Sequence, residues 1–284
     1  MILFNAKAFL TGKNYIKVRN QRSQYILETY HPIILHADKV KQNRPLVFIA
    51  NHNDAKDQEL IMAVTEKIIH WWAKKEYFQA SASYGENDSL KKRLVMAYIV
   101  RYLGCIRIDR SDTIPILARK YNVPIKEIMQ LNNLIEDALN PGQILTIPSG
   151  EKIIKHKVYK GDNKKAFKET DRYLAYGHSV GGFPEGTRGE GEELGKFGEG
   201  LIISAMKNDV EIQPVALSGE FTKDNQNLIA NFLNPVRVPK GSNPKLEAEF
   251  LREMVQEGLN ENSKLIKTLS PSNMKKLGKE PIYL

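Results

Sequence analysis

Apolar residues along the chain fall into two kinds of run. Short, nearly continuous ones, "PLVFIA", "CIRID", "HSVGGF" and "EIQPVALS", read as buried strands, and "HWWAKKEYF" reads as a strand entering a loop. Between them, "QELIMAVTEKII", "SLKKRLVMAYIVRYLG", "KKAFKETDRYLAYG" and "GEGLIISAMKND" carry apolar residues at helical spacing. Gly104 closes the second of these and Gly177 the third. The alternation predicts an α/β layered fold with a mainly parallel or mixed sheet flanked by helices. Sites in such folds gather where strands end and loops begin.

Composition narrows the chemistry. The 284 residues are 42% hydrophobic, enough to bury a large core, and the formal charge of +9 favours an anionic partner. The excess is strongest before Pro45, where Lys7, Lys13, Lys17, Arg19, Arg22, Lys39, Lys41 and Arg44 face only Glu28 and Asp38. Nucleic acid is not expected, because the positive charge is dispersed and no recognised binding motif accompanies it. The opening "MILFNAKAFLTGKNYIKV" is interrupted by Lys7, Gly12 and Lys13 before a signal-peptide core develops, and no window reaches the length of a membrane-spanning helix. A cytoplasmic location is expected. The single cysteine, Cys105, excludes an intrachain disulfide, and its place in an apolar strand suits a small buried residue rather than a nucleophile.

Two loops carry candidate chemistry. His52 follows "PLVFIA" directly and Asp57 lies five residues on. On one regular helix that spacing would rotate the two side chains by roughly 140° apart, so they meet only across a turn. Asn51, Asn53 and Asp54 are turn formers, and Asp57 precedes a helical run. Asp57 as a plain helix cap and His52 as an ordinary loop residue is the other reading of the same residues. In "SVGGFPEGTRG" a strand runs into a sharp turn that projects Glu185, Thr187 and Arg188, a place to hold an anion.

The two motifs occur together and in order. "NHNDAKD" resembles the N-H-x4-D block and "FPEGTRG" the F-P-E-G-T-R block of the glycerolipid acyltransferases, the family of 1-acyl-sn-glycerol-3-phosphate acyltransferases. "GCIRIDR", ending in Arg110, is similar to that family's second block, and "IQPVALSG", containing Pro214, to its fourth; the resemblance covers roughly residues 30 to 225. It implies transfer of a fatty acyl group from acyl-CoA or acyl-carrier protein to the free hydroxyl of lysophosphatidic acid, with no metal and no cofactor beyond the thioester co-substrate. His52 is then the general base and Asp57 the carboxylate that fixes its tautomer. Arg110, Glu185, Gly186, Thr187 and Arg188 are implied to bind the glycerol phosphate. The sequence departs from the family pattern at Asp54, Arg107, Gly182 and Gly189. Asp54 matters most, since a second carboxylate near His52 competes with Asp57 as its partner.

The acyltransferase pattern is interrupted at residues 113–162. The segment reads as two short helices, "TIPILARKYN" and "PIKEIMQLNN", then "LNPGQILTIP" as turn and strand, "SGEKIIK" as a linker and "HKVYKGD" as a second strand. These pieces resemble a LysM module whose order is circularly permuted, the strand that normally comes first standing last. The expected organisation is therefore an acyltransferase domain in two parts, 1–112 and 163–284, with the small α+β insertion between them. The resemblance implies a groove for N-acetylglucosamine-containing glycans at Gly161, Asp162, Thr113, Ile114, Asn132, Asn133 and Leu134. A glycan-binding protein on an inactive acyltransferase scaffold is the alternative function. Peripheral contact with an anionic membrane is expected from the basic N-terminal region with Phe4, Phe9, Leu10, Tyr15 and Ile16, and the alternative for that segment is a core-packing helix with a solvated basic side.

Overall fold

The structure is a computed structural model that describes residues 13–65, 67–78, 89–90, 94, 97, 100–101, 103–109, 112–135, 139–150, 152–186, 193–221, 227–268 and 282–284. The chain divides into two compact units, residues 1–106 with 167–284, and residues 107–166.

The larger unit holds most of a mixed sheet. Its strands are β1 (Ile33–Leu35), β2 (Val47–Ala50), β3 (Ile69–Lys74), β7 (Ser179–Gly182), β8 (Ile212–Ser218), β9 (Ile229–Phe232) and β10 (Ile282–Tyr283), with β4 (Ile106–Ile108) at the division between units. Among the described residues the sheet has eight strands in the order β10-β1-β9-β8-β2-β7-β3-β4. The pairs β2/β7, β2/β8, β3/β7, β1/β9 and β1/β10 are parallel, and β8/β9 is antiparallel. Every residue of β2, β7 and β9 is buried, which is why β2 and β7 read as short buried runs rather than alternating ones, whereas β9, which carries Asn231, was not anticipated from the sequence. Phe48, Ile49, Ile61, Ile69, Val215 and Phe232 are among the fully or almost fully buried side chains at the centre.

The flanking helices of this unit are α1 (Lys13–Tyr30), α2 (Asp57–Val64), α5 (Lys164–Ala175, which begins in the smaller unit), α6 (Gly200–Asn208) and α7 (Pro244–Thr268). Of the helix expected over "SLKKRLVMAYIVRYLG", the described positions Leu90, Leu94, Ala97, Val100 and Arg101 are helical, and Gly104 ends it at φ +60°. Helix α2 stops at Val64, short of the run "QELIMAVTEKII" that predicts it. Thr65 is extended, and Ile69 is taken into the sheet opposite Ser179. Parallel pairing wins over the helical spacing there. The sequence reading did not anticipate α7, although its buried residues Ala248, Leu251, Val255 and Gly258 recur at helical spacing. Gly258 lets α7 lie close on β8, since a Cβ there would come 2.8 Å from that of Ala216.

Tyr15 resolves the alternatives for the start of α1. It is 3% exposed, and its hydroxyl both donates to Ile69 O and accepts from Ile69 N, each at 3.1 Å. It is a core residue and not a membrane contact. Ile16 is exposed, whereas Phe4, Phe9 and Leu10 lie outside the described residues. Among the described residues no helix is long and apolar enough to cross a membrane.

The smaller unit has its own core. Helices α3 (Ile114–Tyr121) and α4 (Ile125–Leu131) pack on the hairpin β5 (Ile144–Ser149) and β6 (Lys152–Lys157) through Ile114, Leu117, Ala118, Ile128, Leu145, Ile147 and Val158. One expectation is corrected here. "SGEKIIK" is not a linker: Ser149 pairs with Lys152, Gly150 turns the chain at φ +61°, and "KIIK" opens β6, which ends at Lys157 rather than running through "HKVYKGD". The β-branched pair Ile153 and Ile154 suits an extended backbone as soon as the turn is made.

Candidate active site

Strands β2 and β7 lie side by side and parallel, with Ile49 opposite Gly182. Three residues beyond each lie His52 and Glu185, so both loops leave the same edge of the sheet in phase. That register brings together motifs separated by 133 positions. His52 N donates to Glu185 Oε1 at 3.1 Å.

The loop after β2 is fixed by its own polar side chains. Asn51 continues the strand pairing with its amide, Nδ2 donating to Leu217 O and Oδ1 accepting from Leu217 N, both at 2.8 Å, and Asn53 Nδ2 donates to the same carbonyl. Asp57 is 2% exposed at the start of α2. Its Oδ2 accepts from Asn53 N at 2.7 Å, from Asp54 N at 2.8 Å and from His52 Nδ1 at 2.9 Å. The turn-organising role and the histidine-holding role therefore belong to one carboxylate. Because a carboxylate oxygen only accepts, Nδ1 carries the proton and Nε2 is left as the basic nitrogen.

Asp54 does not compete for the imidazole. Its Oδ1 accepts from Lys56 N at 2.9 Å and pairs with Lys56 Nζ at 3.5 Å, an Asx-type turn that takes the carboxylate away from His52. The expected rivalry is thereby corrected.

Glu185 also differs from expectation. Its carboxylate, read from the sequence as a phosphate ligand, is engaged on both oxygens: Oε1 accepts from His52 N and Oε2 from Gly195 N at 3.0 Å. It ties the histidine loop to the segment leading to α6, with Gly198 N donating to Pro184 O beside it. Burial pushes the carboxyl of Glu185 up from its ordinary value, opposed by the two backbone N–H bonds and the nearby His52. Gly186 closes the turn, donating to Phe183 O at 3.0 Å with φ +71°. Thr187, Arg188 and Arg110 lie outside the described residues.

The sequence did not point to the aromatic backing of the site. The His52 ring stacks on Phe183 at 4.1 Å and 12°, and Phe183 stacks on Trp71 at 5.3 Å and 14°. Gly181 makes room for this stack, since a Cβ there would come 2.7 Å from the Trp71 ring; at Gly182 it would meet Leu201 at 2.8 Å. The departure from the family pattern at Gly182 thus has a packing reason. The only signal for the stack in the sequence was Phe183 inside its motif.

Among the described residues no group of three or more His, Cys, Asp or Glu side chains is placed to hold a metal ion. Cys105 is half-buried, and burial pushes its thiol up to about 12, which keeps it a thiol.

Five of the seven glycan-groove candidates, Ile114, Asn132, Thr113, Asp162 and Leu134, make contacts within the fold. Ile114 is fully buried in the core of the smaller unit. Asn132 is spent on the backbone, donating to Ile128 O and Thr146 O at 2.7 Å and accepting from Thr146 N at 2.6 Å. Thr113 Oγ1 accepts from Ile116 N and Asp162 Oδ1 from Lys164 N, each at the start of a helix. Leu134 packs against the core, Asn133 is exposed at φ +52°, and Gly161 lies in the loop after β6.

A dyad on a strand-end loop, held in register with an F-P-E-G turn, can now be set beside known proteins. The family model described as Acyltransferase matches residues 32–218. The chain belongs to the acyltransferase family. No curated protein sequence matches it. Among solved structures this acyltransferase is similar to the crystal structure of the 1-acyl-sn-glycerophosphate (LPA) acyltransferase, PlsC, from Thermotoga maritima, with a TM-score of 0.50 and 17% identity over 90% of this chain and 86% of that one. At that identity the likeness concerns the fold, a parallel-dominated sheet flanked by helices.

Proposed function

We propose that this acyltransferase moves a fatty acyl group from an acyl thioester, acyl-CoA or acyl-carrier protein, to the free hydroxyl of lysophosphatidic acid or a close relative in phospholipid synthesis. The observation that carries the reading is the 2.9 Å bond between His52 Nδ1 and Asp57 Oδ2, which leaves Nε2 free to act as a base. An alcohol attacks a thioester poorly at neutral pH, so its proton must leave as the bond forms. His52 Nε2 takes that proton while the hydroxyl oxygen bonds to the carbonyl carbon. The C–S bond then breaks, and the imidazolium returns the proton to the departing thiolate. Asp57 stabilises the imidazolium, and no acyl-enzyme is formed.

In this reading Thr187, Arg188 and Arg110 anchor the phosphate, and Gly186 sits in the turn that immediately precedes Thr187 and Arg188 in the chain. Glu185 holds the phosphate loop against the histidine loop. Residues 113–162 are a permuted LysM-like module inserted between acyltransferase parts 1–112 and 163–284, and the protein works at the cytoplasmic face of an anionic membrane. Product analysis with purified protein, lysophosphatidic acid and a labelled acyl thioester tests the reaction. His52→Ala is expected to abolish phosphatidic acid formation, and unchanged turnover would refute the assigned base.

A further inference from the structure

The hairpin of the smaller unit has one face committed to its core and one that is not. Leu145 and Ile147 point inward with His156, whose Nε2 meets Asp112 Oδ2 at 2.8 Å and whose Nδ1 meets the Tyr121 hydroxyl at 2.9 Å. The opposite face consists of three cross-strand pairs, Ile144 with Lys157, Thr146 with Lys155, and Pro148 with Ile153. Ile144 is 64% and Ile153 67% exposed, and both lysines are exposed. The two isoleucines stand at opposite ends of this short solvent-facing face with the two lysines between and beside them.

The chemistry of that face selects the partner. Apolar Ile144, Pro148 and Ile153 share the outer face of the two-stranded hairpin with cationic Lys155 and Lys157. Within "ILTIPSGEKIIKHK" three lysines face a single acid, Glu151, and the whole chain carries +9. A face of that mixed chemistry fits an interface that is apolar just below and anionic on top. Tyr15, from the segment first expected to supply membrane contact, is enclosed in the core of the other unit.

We propose that the outer face of the β5–β6 hairpin docks on the surface of an anionic lipid bilayer, with Ile144 and Ile153 entering the headgroup boundary and Lys155 and Lys157 meeting lipid phosphates. Lys155 Nζ donates to Thr146 Oγ1 at 2.7 Å, which holds its stem flat along the hairpin. The proposal rests on the reading of the substrate as a lipid for its purpose, not for its physical basis.

The test is co-sedimentation of the full chain with vesicles of phosphatidylcholine alone and of phosphatidylcholine mixed with phosphatidylglycerol. Wild type is expected to partition onto the anionic vesicles and weakly onto the neutral ones. Lys155→Gln with Lys157→Gln is expected to lower anionic partitioning by about 10- to 30-fold, and Ile144→Ser with Ile153→Ser to lower it at least as much. Far-UV circular dichroism and melting confirm that each variant is folded; for a variant that is not, the single substitution Ile153→Ser replaces it. Sedimentation of both folded variants at the wild-type level overturns the proposal, as does a wild type that ignores anionic vesicles. If the variants change the oligomeric state by size-exclusion chromatography while vesicle binding persists, the face joins copies of this chain and the proposal also fails. Acyl transfer to detergent-dispersed lysophosphatidic acid is measured in parallel. Its absence with vesicle binding still hairpin-dependent would sink the functional reading and leave the docking surface standing.

Discussion

Stability in acid is expected to hinge on His70. This side chain is 1% exposed, and its Nδ1 lies 2.9 Å from Gly104 O, so Nδ1 must carry the proton. Its Nε2 then accepts from His178 Nδ1 at 3.0 Å, and the Tyr173 ring stacks on it at 3.5 Å. A second proton on His70 would sit buried and face another N–H. Burial, with smaller contributions from His178 and Arg172 and against the Gly104 bond, lowers its pKa from 6.5 to about 3. The unfolded chain takes up a proton near pH 6.5 and the folded one does not until about pH 3. The contribution is therefore complete above pH 6.5 and is lost progressively as pH falls from there towards 3. The difference of 3.5 (6.5 minus 3) is worth at most about 5 kcal/mol over the whole window, and about 2 kcal/mol of it falls between pH 6.5 and 5. His178, also lowered by burial, adds in the same direction.

The assay is urea unfolding followed by tryptophan fluorescence. Both tryptophans, Trp71 and Trp72, lie on β3 next to His70, so the signal reports this unit. Wild type should lose about 2 kcal/mol more between pH 7.5 and 5 than His70→Gln, which keeps a donor for Gly104 O but does not titrate. Equal pH slopes for the two proteins would refute the tautomer assignment and the account of burial.

Other expectations concern the active site. Asp57→Asn should reduce kcat by about 10²- to 10⁴-fold, because the imidazole loses its tautomer control and its countercharge. Asp54→Asn should leave kcat within a few-fold, since that carboxylate faces Lys56; a loss as large as that of Asp57→Asn, read in the same steady-state assay, would place Asp54 in the catalytic pair. Glu185→Ala should cost about 1–3 kcal/mol in chemical denaturation by orphaning the N–H groups of His52 and Gly195, and should lower kcat through displacement of His52. An effect confined to KM would restore Glu185 to the role of substrate ligand.

Much of this was written locally in the chain. Strands β2, β7 and β8 are apolar runs buried on both faces, so their positions were legible, as were Gly104 and Gly177 at helix ends. The spacing of His52 and Asp57 allowed them to meet only across a turn of small polar residues and left a plain helix cap as the other reading; the structure gives Asp57 both roles. The second strand of the smaller unit's hairpin was misplaced by a few positions because apolar and basic residues are mixed through 152–158 and only the pairing with β5 shows where it begins and ends.

Other features depended on partners distant in sequence. Nothing near Glu185 says whether its carboxylate meets a ligand or a backbone; the parallel register of β2 with β7 puts the N–H of His52 in front of it. Nothing near Asp54 separates it from Asp57, yet one faces Lys56 and the other the imidazole, because only Asp57 stands on the first turn of α2 beneath the ring. The sequence left Tyr15 between a membrane surface and the core, and the two polar groups of Ile69 that claim its hydroxyl place it in the core. Sequence determined which segments extend, coil and turn, since those choices are settled within a few residues. Tertiary structure decided what each polar side chain is for, since a hydrogen bond needs both partners and the fold alone brings the second one to about 3 Å.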